Sequence, residues 1–305
     1  MSRYIDVIVV GGVTKDQNVN LVTRSEWFSY GGGALYVAYI LSKLGIRVGL
    51  VTYLSPSDLQ ELKNIGILDI NIALDGVKQI ENSTLSFTNQ YTGSERIQYA
   101  KAPSYKITIG DIPDLFLDAQ FAIITPVIGE VDKSVIEHIR RRGLITVVEL
   151  QGFVRIIEDD QRVFLTKSTL PYKDIDILKG SIEEFQVLID NINYHSLLNL
   201  SKRGPWIIAV TMGNKGAFIL HNDVENKIYR YYPPKVNAVD ETGAGDVFLA
   251  GLLYGLYCEY DIQYAGRIAT GLATYSTKFR GLEIPINRDL IYELAKEVDW
   301  KVISI

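Results

Sequence analysis

The stretch AVDETGAGDVF, residues 238–248, decides how this chain can fold and what it can do. Residues 242–245 carry only small side chains, and after one aspartate an apolar run begins at Val247. This order is typical of the start of a buried helix, where the first N–H groups lack partners and the helix dipole is positive. Glycines let an anion approach such a backbone closely. We therefore predict an anion-binding helix start at Gly243, Ala244 and Gly245.

Asp246 follows these residues in the first turn of the predicted helix. A carboxylate beside a bound phosphate is repulsive, unless it takes a proton from a hydroxyl group that attacks the phosphorus. The alternative is an ordinary acidic residue in a first helical turn, where the dipole favours it. The pattern thus predicts either a general base or a structural residue at this position.

The composition excludes several classes of protein. The chain has 305 residues, 47% of them hydrophobic, and a net charge of −5, which allows a large core and argues against a general nucleic-acid binder. One cysteine, Cys258, excludes an internal disulfide, and the three histidines lack metal-ligand spacing. The sequence shows neither a signal-peptide plan nor an apolar run of about 18 residues. We therefore expect a cytoplasmic protein without a membrane or nucleic-acid partner.

Apolar β-branched runs alternate with segments of helical periodicity along the chain. This alternation predicts an α/β fold, a doubly wound and mostly parallel sheet with helices on both faces. Residues 84–99 instead alternate polar and apolar side chains around a glycine turn at 92–94, which predicts a hairpin that stands off the core. The expected division is a core of 1–15, 31–73 and 103–305, a small β lid of 16–30 and 74–102, and C-terminal helices at 244–258, about 262–278 and about 287–298.

The string Asp-x-Thr-Gly-Ala-Gly-Asp before an apolar helix resembles the signature of the ribokinase/PfkB family of carbohydrate kinases. The resemblance extends over nearly the whole chain, weakly in the middle and sharply at residues 240–246. It implies a ribokinase-like fold and an ATP- and Mg²⁺-dependent transfer of the γ-phosphoryl group to a hydroxyl of a small sugar, polyol or nucleoside. Asp246 would be the catalytic base, and the amides of Gly243, Ala244 and Gly245 the anion hole. A monovalent cation and a homodimer formed through the lid stay open.

The resemblance also assigns the phosphate and metal side of the site. The family's Thr-x-Gly-x-x-Gly turn, which lies against the nucleotide phosphates, matches residues 211–216. Its Lys-x-Asn-x-x-Glu segment, associated with magnesium and its waters, matches residues 179–184, with Ser181 in place of Asn. Ser181 and Glu184 also have the spacing of a helix capping box, which is the structural alternative. The implied nucleotide residues are Lys179, Thr211, Gly213, Gly216 and Thr242, and the implied metal residues are Glu184 and Asp240.

On the acceptor side, Asp16 follows the first strand, where family members bind substrate hydroxyls; a solvated loop residue is the alternative. Gly31 and Gly32 match the N-terminal Gly-Gly motif of the family. Tyr36 stands where many members have Asn and is similar to a branch with inositol- and nucleoside-kinase-like proteins. Residues 151–155 are similar in kind to the family's Asp-x-Asn segment with a following Arg. They place Gln151 and Arg155 near substrate or phosphate, with a purely structural turn as the alternative.

Two functions of different class stay open at this point. The first is the kinase, whose acceptor is inositol-like, a nucleoside or a monosaccharide; Tyr36 and residues 151–155 favour the first two. The second is a catalytically weak, ligand-sensing binding protein on the same fold, which the departure at Ser181 keeps open. The intact Asp246 and anion hole favour the kinase.

Overall fold

The computed structural model describes residues 4–81, 83–92, 95–189, 191–222 and 227–303. The strands in chain order are β1 (Val7–Gly11), β2 (Thr14–Asn20), β3 (Ser25–Gly31), β4 (Val48–Leu54), β5 (Ile72–Gln79), β6 (Phe87–Thr92), β7 (Glu95–Ala100), β8 (Phe121–Thr125), β9 (Ile145–Glu149), β10 (Arg155–Ile157), β11 (Val163–Leu165), β12 (Ile177–Ser181), β13 (Ile207–Thr211), β14 (Ala217–His221), β15 (Lys227–Tyr232) and β16 (Asp299–Ile303). The α-helices are α1 (Gly33–Lys43), α2 (Pro56–Asn64), α3 (Ser134–Arg141), α4 (Ile182–Gln186), α5 (Tyr194–Ser201), α6 (Ala244–Tyr257), α7 (Ile262–Ser276) and α8 (Arg288–Lys296).

The large sheet is mostly parallel, as the sequence predicts. Its strand order is β16-β15-β14-β13-β12-β9-β8-β1-β4-β5, with parallel pairing from β13 through to β5. The interior strand β1 is buried along its whole length, and its residues are apolar on both faces. Such continuous apolar runs are what a strand covered by helices on both sides requires.

Helices cover both faces of this sheet, so the doubly wound prediction is confirmed. One core cluster joins the buried sides of α1, α6, α7 and α8 to the sheet. A second cluster lies on the opposite face and contains the buried sides of α3 and α5. Helices α1 and α6 also pack against each other. Their N-termini lie side by side, because Gly33 at the start of α1 is next to Asp246 in the first turn of α6.

A separate small sheet has the strand order β3-β2-β6-β7. β6 and β7 form the hairpin predicted at 84–99, although Gly93 and Ser94 of its turn lie outside the described residues. The β2–β6 pair is parallel, and the other two pairs are antiparallel. The expected lid range 74–102 starts too early, because residues 74–79 belong to β5 and pair with β4 in the large sheet. As an edge strand, β5 is exposed on one side and has the mixed polarity of a hairpin strand.

Two features depart from the predicted pattern. β14, β15 and β16 pair antiparallel and close one end of the large sheet, and the sequence pattern predicts no strand after the last helix, where β16 lies. β10 and β11 form a short hairpin after β9, where the pattern predicts only a turn. The three C-terminal helices, α6 to α8, lie within one or two residues of their predicted bounds.

Candidate active site

Two glycine-led helix starts meet at the carboxyl edge of the large sheet. Gly33, the first residue of α1, lies next to Asp246 in the first turn of α6. Glycine lacks a Cβ atom, and one added to Gly33 would lie 2.9 Å from Oδ1 of Asp246. The same atom would collide with the hydroxyl of Thr125, the last residue of β8. The structure therefore brings Asp246, Thr125 and the start of α1 together. Sequence reasoning missed Thr125, whose signal is a polar residue that ends a buried strand.

Gly243 is the N-cap of α6 and has a φ of 76°, in the left-handed region that favours glycine. A Cβ atom there would collide with the ring of Tyr36, which is 1% exposed. Tyr36 thus lies beneath the predicted anion hole. Burial raises the pKa of its hydroxyl, and the carboxylates of Asp240, Asp246 and Asp16 raise that pKa further. Tyr36 therefore stays neutral between the predicted acceptor residue and the predicted base.

Gly245 contacts the side chain of Lys179. A Cβ atom on Gly245 would lie 2.9 Å from the Lys179 ammonium, which is itself paired at 2.9 Å with Oε2 of Glu149. The side chains of both paired residues are almost fully buried, at 5% and 2% exposure. Lys179 was predicted to contact the nucleotide, and the structure places it under the first turn of α6. Glu149, an acid that ends the apolar strand β9, was missed as a site residue.

The electrostatics of Asp246 suit a proton acceptor. Burial raises the pKa of Asp246 to about 6, against the lowering effect of the positive charge on Lys179. The negative charge of Glu184 also raises this pKa, and the positive charge of Arg155 lowers it. A carboxylate with a pKa near 6 is ionised at neutral pH and is a stronger base than an ordinary aspartate.

The predicted acceptor residues lie together where the two sheets join. Asp16 is half-buried in β2, and its Oδ1 accepts the Phe87 N–H at 3.0 Å. A Cβ atom on Gly31 would lie 3.5 Å from Oδ2 of Asp16. Gly32 has a φ of 90° and contacts the Gly12 carbonyl, so the chain can turn there from β3 into α1. The Gly-Gly turn therefore lies directly beside Asp16.

Gln151 and Arg155 come after the carboxyl end of β9. Gln151 starts a 3₁₀ turn, and Arg155 is the first residue of β10. The positive charge of Arg155 lowers the pKa of Asp246, so Arg155 lies within electrostatic reach of the predicted base. Gln151 lies half-buried in the 3₁₀ turn that precedes β10.

The predicted phosphate turn follows β13, the neighbour of β12 in the sheet. Thr211 ends β13, and its hydroxyl donates to the Gly180 carbonyl at 3.4 Å. Gly213 and Gly216 have φ values of 54° and 84°, so this turn requires glycine at both positions. The turn follows the carboxyl end of β13, which neighbours the strand of Lys179 and lies on the side of the site opposite to Asp16.

The two predicted metal residues have structural partners of their own. Glu184 and Ser181 form a complete capping box: the Ser181 N–H donates to Oε2 of Glu184 at 2.8 Å, and the Glu184 N–H donates to Oγ of Ser181 at 3.2 Å. Asp240 accepts the N–H groups of Thr242 and Gly281 at 2.9 and 3.1 Å. Among the described residues, no three His, Cys, Asp or Glu side chains are grouped to hold a metal ion. The two carboxylates of Glu184 and Asp240 fit a Mg²⁺ ion that is held mainly by phosphates and waters.

This chain matches a known enzyme family over most of its length. A model of the pfkB family carbohydrate kinases matches residues 5–288. The chain belongs to the pfkB family of carbohydrate kinases. It is accordingly a phosphotransferase with an alcohol group as acceptor, and kinases of this family use ATP and typically a divalent metal. None of the helices in the described part of this pfkB kinase is long and apolar enough to cross a membrane.

Individual relatives agree with this family and its fold. A Pyrococcus horikoshii protein named as a sugar kinase is 26% identical over 283 residues, 88% of this chain and 87% of that protein. A pyrophosphate-dependent kinase in the ribokinase family, solved with a pyrophosphate analog and myo-inositol, has a TM-score of 0.77 at 22% identity and covers 94% of this chain and 99% of its own. Arabidopsis thaliana ribokinase, solved with ribose and ATP, has a TM-score of 0.77 at 18% identity over 96% and 99% of the two chains. The pfkB kinase therefore has the ribokinase-like fold.

Proposed function

We propose that this pfkB kinase transfers the γ-phosphoryl group of ATP to a hydroxyl of a small polyol, with inositol-like compounds and nucleosides as the favoured acceptors and monosaccharides as the alternative. One observation carries the proposal: Oδ1 of Asp246 lies beside Gly33 and the start of α1, while its own helix presents the glycine-rich N-terminus. A hydroxyl held beside Gly33 can thus meet a base and an anion hole at the same point.

In this proposal Asp246 accepts the proton of the attacking hydroxyl, because its raised pKa makes it a competent base. The N–H groups of Gly243, Ala244 and Gly245 receive the negative charge of the transferring phosphoryl group. Lys179, buried beneath Gly245, adds a positive charge to this helix start.

Glu184 and Asp240 would hold Mg²⁺ through its waters. Each carboxylate oxygen has two lone pairs, so the backbone partners of these residues leave acceptor capacity for a water. When bound, Mg²⁺ neutralises charge on the donor phosphates. On the donor side, the residues proposed to face the nucleotide phosphates are Thr211, Gly213, Gly216 and Thr242.

We propose that the small sheet is the lid of the acceptor site, with Asp16, Gly31, Gly32, Tyr36 and Gln151 around the acceptor. A lid excludes water, which would otherwise compete with the acceptor for the phosphoryl group. The sheet also exposes large apolar side chains, among them Trp27 at 44% and Phe28 at 63%. Trp27 and Phe28 lie on opposite faces of β3, so apolar surface is exposed on both sides of the sheet. Exposed apolar surface favours association, and we propose that a homodimer forms through the lid.

The ligand-sensing alternative no longer has a specific observation in its favour. It depends on Ser181, which replaces the family asparagine. The capping box explains Ser181 as the residue that begins α4. The kinase is therefore the single function proposed.

The test is a panel of myo-inositol, ribose and nucleosides, each with ATP or pyrophosphate as donor and Mg²⁺ present. With ATP as the donor, we expect acceptor-dependent ADP release for at least one acceptor. Asp246→Asn should reduce kcat by ~10²–10⁴-fold and leave ATP binding nearly unchanged, because the base is lost while the anion hole stays. An Asp246→Asn variant within about threefold of the wild-type kcat would show that another group is the base.

A second variant tests the acceptor side. Asp16→Ala should raise the KM for the acceptor steeply, on the order of 10²-fold, because a site built for hydroxyls loses its acceptor atoms. The KM for ATP should stay within about twofold, and Gln17→Ala, at the next position of β2, serves as the matched control. An unchanged acceptor KM in Asp16→Ala would place the acceptor elsewhere.

A further inference from the structure

The hairpin of β10 and β11 contacts the small sheet and follows the carboxyl end of β9, and the proposed function assigns it no role. Its first residue, Arg155, lies near the carboxyl edge of the large sheet, after the turn that follows β9. At its other end, the Gln161 carbonyl accepts the Ala100 N–H at 2.9 Å, and Arg162 forms an antiparallel bridge with Tyr99. One short element therefore connects the edge strand β7 of the small sheet to Arg155.

The two faces of the hairpin have different surroundings. Ile157 and its cross-strand partner Val163 pack on one face, and the pair Ile156 and Phe164 lies on the other, at 42% and 40% exposure. Because side chains alternate along a strand, Arg155 projects from the same face of β10 as Ile157. Ile157 and Val163 pack against a buried group that we call the junction cluster, Leu85, Phe87, Ala100, Val127 and Ile128.

The junction cluster also borders the acceptor residue. Phe87, a member of the cluster, donates its N–H to Oδ1 of Asp16 at 3.0 Å. Val127 and Ile128 of the same cluster belong to the loop that follows Thr125 at the end of β8. The junction cluster thus joins the small sheet to the hairpin, and the backbone of one of its members hydrogen-bonds the acceptor carboxylate.

A cation at the position of Arg155 has a use in phosphoryl transfer. The reaction spreads negative charge over the oxygens of the transferring group, and a preorganised cation stabilises that charge. A long arginine side chain loses considerable conformational freedom when it is held in one place. The packed and hydrogen-bonded hairpin can hold the backbone from which Arg155 projects.

We propose that Ile157 and Val163 are positioning residues, which hold Arg155 against the transferring phosphoryl group by packing the hairpin on the junction cluster of the small sheet. This inference rests on the proposed kinase function. It adds a coupling between the position of the small sheet and the position of Arg155. Since the hairpin is bound to β7, a movement of the small sheet over the acceptor also moves Arg155. Transfer is then fastest when the acceptor is covered.

The experiment compares substitutions on the two faces of the hairpin. Ile157→Ala and Val163→Ala loosen the packed face, and Ile156→Ala and Phe164→Ala are the matched controls on the exposed face. With ATP and the best acceptor of the panel, we expect kcat to fall about tenfold in the packed-face variants, with the KM for ATP within about twofold. The controls should stay within about twofold of wild type. Thermal unfolding shows which variants fold. Val163→Thr, which keeps the shape of the side chain, is used in place of a packed-face variant that does not fold.

A double-mutant cycle shows whether these residues act through Arg155. In an Arg155→Gln background, Val163→Ala should change kcat by less than about twofold, because the group that it positions is already absent. A repeated tenfold loss in that background would overturn the inference, as would packed-face variants equal to the controls or an Arg155→Gln variant with the wild-type kcat. In each of these cases the wild-type kinase activity, and with it the proposed function, still stands. A wild-type protein that phosphorylates no acceptor would overturn both.

Discussion

Asp246 has three charged neighbours, and the balance of their charges with burial sets its protonation state. Burial and Glu184 raise its pKa, and Lys179 and Arg155 lower it, with a result of about 6. This folded-state pKa lies above the pKa of a free aspartate. At a pH between the two pKa values, Asp246 therefore binds its proton more tightly in the folded protein than in the unfolded chain. The free energy of unfolding that this group contributes therefore falls as the pH rises through that range.

The pKa of about 6 for Asp246 also predicts the pH dependence of the reaction. A general base must be ionised, so kcat/KM should fall about tenfold per pH unit below about pH 6 and level off above it. Arg155→Gln removes a positive charge that lowers the pKa, so the acidic limb should move to higher pH. Initial rates from pH 4.5 to 8 measure both profiles. A wild-type rate that stays constant down to pH 5, or a limb that moves to lower pH in Arg155→Gln, would contradict this assignment.

At the scale of elements, Asp58 at the start of α2 attaches the small sheet to the core. Its Oδ1 accepts from Lys15 of β2 at 2.8 Å and from the Tyr30 hydroxyl of β3 at 2.7 Å. Its Oδ2 accepts from Ser55 and Thr84 at 2.7 and 2.6 Å. Burial raises the pKa of Asp58, but these hydrogen bonds outweigh burial, and the net pKa is lowered. The proposed lid therefore has a charged anchor besides the junction cluster.

Removing this anchor should destabilise the protein. We expect Asp58→Ala to lower the free energy of unfolding by about 2–4 kcal/mol at pH 7, because four donors lose a buried partner. Glu61→Ala is the control: Glu61 also contacts Lys15, at 3.0 Å, but is half-exposed, so its loss should cost less than about 1 kcal/mol. Urea unfolding followed by tryptophan fluorescence measures both changes. Equal losses in the two variants would contradict the anchor.

The pH dependence of this anchor has the opposite sign to that of Asp246. Since the folded-state pKa of Asp58 is lowered, its contribution to stability is complete above the pKa of a free aspartate. That contribution is lost as the pH falls through the folded value. Acid should therefore loosen the attachment of the small sheet to α2.

At the scale of the whole molecule, the strand order brings together residues that are far apart in the chain. Asp16 follows β1, Thr125 ends β8, Glu149 ends β9 and Lys179 lies in β12. These four strands are consecutive in the sheet order β12-β9-β8-β1. Because they are parallel, their carboxyl ends share one edge, which is where open α/β sheets bind ligands. The N-terminus of α6 completes the site from the C-terminal third of the chain.

Much of this arrangement could be predicted from the sequence. The α/β class, the parallel core, the hairpin of β6 and β7 and the helix start at Gly243 all follow from local periodicity and small-residue turns. The missed elements lack such a signal. β16 reads DWKVI and β5 has mixed polarity, because both are edge strands that face solvent on one side. Edge strands of mixed polarity depend on their neighbours in the sheet, and their own patterns do not reveal them.

The family, the base candidate Asp246 and the glycine turns could be identified from the sequence, since each depends on residues adjacent in the chain. The folded structure was needed to reveal the buried pair of Glu149 and Lys179, the place of Tyr36 beneath Gly243 and the contact of the hairpin with the small sheet. The physical reason is that burial and through-space contact are set by packing. Glu149 and Lys179 are 30 residues apart in the chain and become partners only because two parallel strands place both side chains in the same buried layer.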